Sequence, residues 1–130
     1  LLFTDNRALK AVGDKWVKEL AIKTPNAENI ITTLSGGNQQ RVVLAKWLAR
    51  DPKILILNGP TVGVDIGSKL EIHKVLRKLA NQGIAVIIIS DDIPEVLTNC
   101  NKIVIMKMGR IVGQIDSNSV GQEQLAGMLA

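Results

Sequence analysis

The sequence contains few of the residues that several classes of protein depend on. Its 130 residues include one Cys, one His, one Phe, two Trp and no Tyr. Because Cys100 has no partner for an intramolecular disulfide, we expect a reducing, non-secreted environment. His73 has no second His or Cys at ligand spacing, which argues against a metal site. We expect His73 to be a solvated side chain.

The chain also lacks a hydrophobic run long enough to span a bilayer. The longest run, residues 84–89, has the length of a buried strand, whereas a spanning helix needs about 20 residues. The net charge is +4, but the basic residues are dispersed, and we expect Arg41, Lys46 and Arg50 to form a solvated helix face. Trp16 and Trp47 fall on apolar helix stripes, where we expect core packing rather than stacking on bases. We therefore expect no nucleic acid partner.

Hydrophobic residues make up 46% of the chain, which is ample for one packed domain. Ser68 and Glu71 have the spacing of a capping box, which places a helix start at Ser68. Apolar spacing predicts helices at residues 6–20, 38–50, 68–83, 94–97 and 122–129. Short apolar runs predict strands at residues 54–57, 85–89, 102–106 and 111–115, the first of them buried on both faces. Strands alternating with helices indicate an α/β fold with a parallel sheet, whose ligands bind beyond the carboxyl ends of the strands, at Asn58 and Ser90.

The most specific segment is Leu-Ser-Gly-Gly-Asn-Gln-Gln-Arg at positions 34–41. Two glycines allow close approach of the backbone to a ligand, Ser35 offers a hydroxyl, and the start of a helix presents unpaired N–H groups to a phosphate. An ordinary Gly-Gly turn with Ser35 as N-cap is the structural alternative. The segment resembles the signature motif of ATP-binding-cassette (ABC) proteins, in the form found in sugar importers.

The motifs that follow in the chain extend the resemblance. Residues 54–61 match the Walker B strand and its Pro-Thr, and Gly63-Val64-Asp65 matches the D-loop. Order and distances agree with the ABC family over nearly the whole chain. The resemblance implies a P-loop NTPase-like α/β sheet and the C-terminal half of the second nucleotide-binding domain of a monosaccharide importer ATPase.

Several family positions carry other residues here. The Walker B Asp falls on Asn58, the catalytic Glu on Gly59 and the switch His on Asp91. An amide lacks the charge that Mg²⁺ prefers, and glycine has no side chain to act on water. No Gly-x-x-x-x-Gly-Lys-Ser/Thr occurs, so the Walker A segment is missing. We therefore expect no confident catalytic residue, no metal ligand, and no ATPase activity from these residues alone.

By resemblance, the chain divides into a helical and signature region at about 5–50, the Walker B, D-loop and switch strands at about 53–115, and a C-terminal helix at about 119–130. The resemblance also implies that another domain binds ATP together with Mg²⁺ and that residues of this chain contact that ATP. These residues are Ser35, Gly36, Gly37, Asn38, Gln39 and Asp65.

The partners it implies are an N-terminal nucleotide-binding domain or a second copy, membrane permeases and, indirectly, a periplasmic sugar-binding protein, at the cytoplasmic face of the inner membrane. The alternatives are an inactive, nucleotide-dependent structural or regulatory module, and a soluble ABC protein acting on ribosomes or DNA.

Overall fold

The computed structural model describes residues 5–129, so residues 1–4 and Ala130, the last residue of the predicted C-terminal region, lie outside the described residues. The described chain forms two compact units, one of residues 5–55 with 60–86 and the other of residues 56–59 with 87–129. In chain order, the helices and strands are α1 (Asn6–Glu19), α2 (Gly36–Leu48), β1 (Ile54–Asn58), α3 (Ile66–Asn81), β2 (Ala85–Ile89), α4 (Ile93–Asn99), β3 (Lys102–Lys107), β4 (Arg110–Asp116) and α5 (Gln122–Leu129). Each predicted helix and strand is present, and no end differs from its prediction by more than two residues.

The first unit is built on three helices, with α2 in contact with both α1 and α3. Leucines and isoleucines of α2, α3 and the loop after α1 are buried, among them Leu20, Leu44, Leu48, Ile72, Leu76 and Leu79. The side chains that line this core follow the helical spacing of the sequence. The core holds the N-terminal ends of α2 and α3 against each other.

Three side chains of this unit are placed differently from the sequence prediction. Arg41 is only 6% exposed and donates from a guanidinium nitrogen to the carbonyl oxygen of Ala21 at 2.8 Å, so its assignment to a solvated face was wrong. His73 is buried rather than solvated. Trp47, expected in the core, is exposed, with the Lys46 ammonium 5.9 Å from its ring centre. Each outcome depends on tertiary neighbours that helical spacing does not specify.

Helix α3 begins earlier than predicted because Asp65, not Ser68, caps it. The Asp65 carboxylate accepts a hydrogen bond from the Ser68 backbone N–H at 2.9 Å. Glu71 pairs with Lys74 at 2.9 Å instead of reaching back to the helix start, so the predicted capping box was wrong. The helix ends two residues before Gly83, whose φ of +95° is a conformation that glycine adopts without steric cost.

Strands β1 and β2 form a two-stranded parallel sheet. The Ala85 N–H donates to the Lys53 carbonyl at one end, and the Gly59 N–H donates to the Ile89 carbonyl at the other, both at 2.9 Å. Helix α3 connects the two strands. This confirms the α/β fold with a parallel sheet, and it places Asn58 and Ile89 at neighbouring strand ends.

The prediction that β1 is buried on both faces was wrong. Leu55 is buried, but Ile54 and Ile56 are 61% and 63% exposed. Successive side chains of a strand point to opposite faces, so Leu55 faces the packed side and the two isoleucines share the other. Within residues 5–129, nothing buries that second face.

The second unit packs an antiparallel pair, β3 and β4, against α4 and α5. Lys102 pairs with Asp116, and a bulge between Ile105 and Met106 shifts the register toward the turn. Alternate residues of β3 point inward, and Ile103 and Ile105 join Leu125 of α5 in a buried cluster. Across the described residues, no helix has both the length and the apolar character required to cross a membrane.

Candidate functional site

The candidate site begins at the first turn of α2. Ser35 occupies the N-cap position with extended backbone, and its carbonyl accepts from the Gln39 N–H at 2.9 Å. Its side chain, however, makes no hydrogen bond to the backbone N–H groups of that turn. The Ser35 hydroxyl is therefore not an ordinary capping group. Because Ser35 and Gly36 are exposed, the turn presents a hydroxyl and the positive end of the helix dipole to solvent.

The two glycines of the motif have different surroundings. A Cβ added at Gly36 would lie 3.9 Å from the Gly63 carbonyl oxygen and 4.0 Å from Cγ1 of Val64, which are ordinary contacts. A Cβ added at Gly37 would lie 2.5 Å from Cβ of Ser68 and would also collide with the Ser68 hydroxyl oxygen. Gly37 is thus required by close packing of α2 on the start of α3. The same packing brings the signature and D-loop segments together in the first unit.

The side chain of Asn38 is buried and Gln39 is half-buried, and both side chains make hydrogen bonds within the protein. Asn38 is 9% exposed, and its Oδ1 accepts from the Lys23 backbone N–H at 2.9 Å while its Nδ2 donates to Ser35 Oγ at 2.8 Å. Gln39 Nε2 donates to the Leu34 carbonyl at 2.8 Å. These bonds tie the loop after α1, at Lys23, and the backbone of Leu34 to the first turn of α2. The contact of both residues with nucleotide remains a prediction.

Asp65 lies exposed at the start of α3, close to the signature turn in the fold. Its Oδ2 accepts from the Ser68 hydroxyl at 2.7 Å, in addition to the backbone bond that caps the helix. The hydrogen bonds from Ser68, first from its hydroxyl and then from its N–H, lower the pKa of the Asp65 carboxyl. Asp65 therefore carries a negative charge near the first turn of α2, and its predicted role across a domain interface stays a prediction.

Three residues that were predicted to depart from the family pattern lie at or just after the ends of β1 and β2. Asn58 is exposed, and Gly59 has a φ of +56°, in the left-handed region that disfavours residues with a Cβ. Asp91 is exposed and follows Ser90, the residue after β2. Within the second unit, this edge of the sheet thus offers one amide, one glycine without side chain and one carboxylate.

Glu95 of α4 was not predicted to be a site residue. It lies beside this edge and is only 4% exposed. Ser90 Oγ donates to Glu95 Oε2 at 2.6 Å, and the Asp92 N–H donates to Ser90 Oγ at 3.1 Å. Asp92 caps α4 by accepting from the Glu95 N–H at 2.9 Å. The spacing of Asp92 and Glu95 at the start of a predicted helix was the available signal. These bonds hold the loop after β2.

The composition of the strand ends bears on metal binding. Divalent magnesium prefers carboxylate oxygens and phosphate, whereas Asn58 at the end of β1 offers a neutral amide. Across residues 5–129, no three His, Cys, Asp or Glu side chains are grouped closely enough to hold a metal ion. The strand ends of this chain do not fit a divalent cation, whereas the first turn of α2 fits a phosphate.

Comparison with known proteins places these features in a family. The family described as "ABC transporter" matches residues 4–62. A putative ribose/galactose/methyl galactoside import ATP-binding protein of Pseudomonas fluorescens is 44% identical over 95% of this chain, and the xylose import ATP-binding protein XylG of Thermoanaerobacter pseudethanolicus is 45% identical over 93%. This chain spans only 24% of the length of each.

A solved structure resembles the fold over most of the described chain. The ATP-binding cassette MJ0796, in a dimeric post-hydrolysis state bound to ADP and Pi, has a TM-score of 0.74 and 25% identity, over 88% of this chain and 50% of that one. The sequence matches cover 93–95% of this chain, and the shared α/β fold covers 88% of it. The chain belongs to the ABC transporter ATPase family.

Proposed function

We propose that this chain is part of the ATP-binding protein of a sugar importer and that it supplies the signature turn to an ATP site whose phosphate-binding loop lies on another domain. The observation that carries the proposal is the first turn of α2, where Ser35 is exposed and its hydroxyl caps no backbone group. The relatives named as sugar import ATP-binding proteins support the transport assignment, and their greater length leaves room for the partner domain.

The cofactor of the proposed assembly is ATP with Mg²⁺, which supplies a terminal phosphoanhydride bond for cleavage. In this chain, the Ser35 hydroxyl and the backbone of Gly36 and Gly37 would hold the phosphate end of ATP. Preorganised donors of this kind stabilise developing charge on a transferring phosphoryl group, and loss of one donor costs about 10²–10³-fold in rate. The D-loop residue Asp65 is held charged and close by, where it can contact the partner domain.

The strand ends of the chain's own half-site support an asymmetric pair of ATP sites. Gly59 provides no general base, a role worth about 10²–10⁴-fold in rate, and Asn58 provides no carboxylate for Mg²⁺. The Asp91 carboxylate would repel a phosphate at the position of the switch His. In the proposed assembly, hydrolysis therefore takes place at the site that this chain completes, not at the site that its own strands line.

The proposed partners follow from the transport assignment. They are an N-terminal nucleotide-binding domain of the same chain or a second copy, the membrane permeases and, through them, a periplasmic sugar-binding protein. We place the protein peripherally at the cytoplasmic face of the inner membrane. The sugar is set by the binding protein and the permeases rather than by this chain.

The test is ATP turnover of the full-length protein assembled with its permeases, with Ser35→Arg in this chain. The bulky cation blocks the exposed turn, and we expect turnover to fall at least 10²-fold, the scale of a lost donor. Ser119→Arg is the matched control, because Ser119 is an exposed serine at the end of a 3-10 helix in the second unit. Turnover unchanged by Ser35→Arg in an active protein would refute supply of the signature in trans.

A second function is favoured by the same strand ends. If the partner domain also lacks a Walker B glutamate, bound ATP holds two domains together without hydrolysis, and the chain belongs to a nucleotide-dependent structural or regulatory module. Gly59, with its left-handed backbone, is the observation that favours this function. ATP-dependent association of the domains without turnover in the unsubstituted protein would identify it.

A further inference from the structure

Asn38 lies between the loop that follows α1 and the hydroxyl of Ser35. The backbone N–H of Lys23 can only donate, so the Asn38 atom that faces it at 2.9 Å must be the acceptor, Oδ1. The other end of the amide, Nδ2, then faces Ser35 Oγ at 2.8 Å as a donor. The Lys23 backbone thereby fixes the orientation of the Asn38 amide.

This orientation determines what the Ser35 hydroxyl can do. A hydroxyl has one proton to donate and accepts at its lone pairs, and the Asn38 N–H occupies one of those lone pairs. Since an amide NH₂ group is no acceptor, the Ser35 proton must point elsewhere. Among residues 5–129, the hydrogen bond with Asn38 is the one that Ser35 Oγ makes, and Ser35 is exposed. The proton is thus available to an acceptor that is not among these residues, either water or a ligand.

We propose that Asn38 is a positioning residue that makes Ser35 a hydrogen-bond donor toward a phosphoryl oxygen. The inference rests on the function proposed above and adds to it the direction of the hydrogen bond. The Lys23 N–H donates to the Asn38 amide, and the amide donates to the Ser35 hydroxyl. The hydroxyl is then left to donate on the solvent side of the signature turn. A phosphoryl oxygen, which only accepts, is the ligand chemistry that such a turn recognises.

Asp at position 38 reverses this arrangement without changing the shape of the side chain. One carboxylate oxygen still accepts from the Lys23 N–H, but the other accepts the proton of Ser35 and turns it inward. The fold should tolerate the change, because an acidic side chain in the first turn of a helix interacts favourably with the helix dipole. Ala at the same position loses both hydrogen bonds but leaves the Ser35 hydroxyl free to rotate.

The experiment is a double-mutant cycle on ATP turnover of the full-length protein with its permeases, using Ser35→Ala, Asn38→Asp, Asn38→Ala and the two combinations with Ser35→Ala. We expect Ser35→Ala and Asn38→Asp each to lower turnover at least tenfold. Asn38→Asp should have less than a twofold effect once Ser35 is Ala. Asn38→Ala should lower turnover less than Asn38→Asp.

Thermal unfolding of the same variants separates positioning from support of the fold. We expect Asn38→Ala to lower the melting temperature more than Asn38→Asp, the reverse of their order in turnover. If Asn38 only anchors the loop at Lys23, both orders agree and the Asn38 effects persist in the Ser35→Ala background, which overturns the inference. If Ser35→Ala leaves turnover unchanged, the proposed function itself fails. If Ser35→Ala is impaired and Asn38→Asp is not, only the positioning role fails.

Discussion

Replacement of Gly37 by Ala tests whether the signature turn is fixed by its packing on α3. Gly37 is buried, and an added Cβ would stand 2.5 Å from Cβ of Ser68, far inside van der Waals contact. The Ser68 hydroxyl can rotate away, but its Cβ is fixed to the backbone of α3. Relief of the collision therefore requires α2 and α3 to separate at their N-terminal ends.

The size of the effect follows from two opposing terms. Overpacking of a well-packed contact costs about 1–3 kcal/mol, and Ala in place of Gly within a helix contributes about 0.5–1 kcal/mol in the other direction. We expect Gly37→Ala to lower the free energy of unfolding by about 1–2 kcal/mol. Gly36→Ala is the matched control in the same turn, since its Cβ meets only the ordinary contacts at 3.9 and 4.0 Å. That variant should be unchanged or slightly stabilised.

Urea unfolding followed by tryptophan fluorescence is a suitable assay, because Trp16 and Trp47 both lie in the unit that contains the contact. With a urea dependence of about 1–3 kcal/mol per molar, Gly37→Ala should lower the midpoint by about 0.3–2 M. Adding Ser68→Gly removes the obstructing Cβ, so the double variant should lose less than the sum of the two single changes. A Gly37→Ala protein as stable as Gly36→Ala would refute the packing argument.

Three further predictions concern the strand ends, the cysteine and the open sheet face. The double change Asn58→Asp with Gly59→Glu should raise ATP turnover of the full-length protein less than twofold. A Glu at the left-handed φ of position 59 costs about 1–2 kcal/mol, and that backbone does not direct its carboxylate toward the attacking water. A gain in turnover near 10²-fold would contradict this expectation. Burial, and then the negative charge of Glu95, raise the pKa of the Cys100 thiol. Iodoacetamide should therefore alkylate Cys100 more slowly than free cysteine near pH 8.5, because less of the thiol is ionised. Glu95→Gln should lower that pKa and shift the curve of alkylation rate against pH to lower pH. The isolated 130-residue chain should self-associate in sedimentation, and Ile56→Lys should reduce that association, because Ile56 is 63% exposed on an apolar sheet face.

Local patterns in the sequence predicted the order and type of the elements well. Strand β2 covers residues 85–89 as predicted, and α1 covers Asn6–Glu19 against a prediction of 6–20. These elements have strong periodicity or a continuous apolar run, and both depend on neighbours within one or two turns. The signature turn was located for the same reason, since its Ser-Gly-Gly and following helix are contiguous.

Features that depend on distant partners were not predictable in this way. Arg41 is buried because a backbone carbonyl 20 residues earlier, that of Ala21, accepts from it, and nothing in the helical spacing of α2 specifies that loop. The exposure of Ile54 shows the converse, since an apolar run reveals the preference of a strand for burial but not whether a second layer covers it. At the start of α3, Asp65 and Ser68 both match capping patterns, and the backbone conformation at Asp65 decides between them.

Burial of the polar side chains around the signature turn costs folding free energy, and that cost is evidence about the role of the turn. Burial of an amide or a guanidinium away from water destabilises a fold unless each group finds partners, and Arg41 Nε has none among the described residues. If α2 served packing alone, apolar side chains at positions 38 and 41 would achieve it without that cost. The bonds from Asn38 to Lys23 and Ser35 instead fix the direction of one exposed hydroxyl. The strand ends, by contrast, offer a neutral amide at Asn58 and no side chain at Gly59. This combination of an oriented donor at Ser35 with an amide and a glycine at the strand ends is what the proposed function requires, since that function has this chain act on a nucleotide that another domain holds.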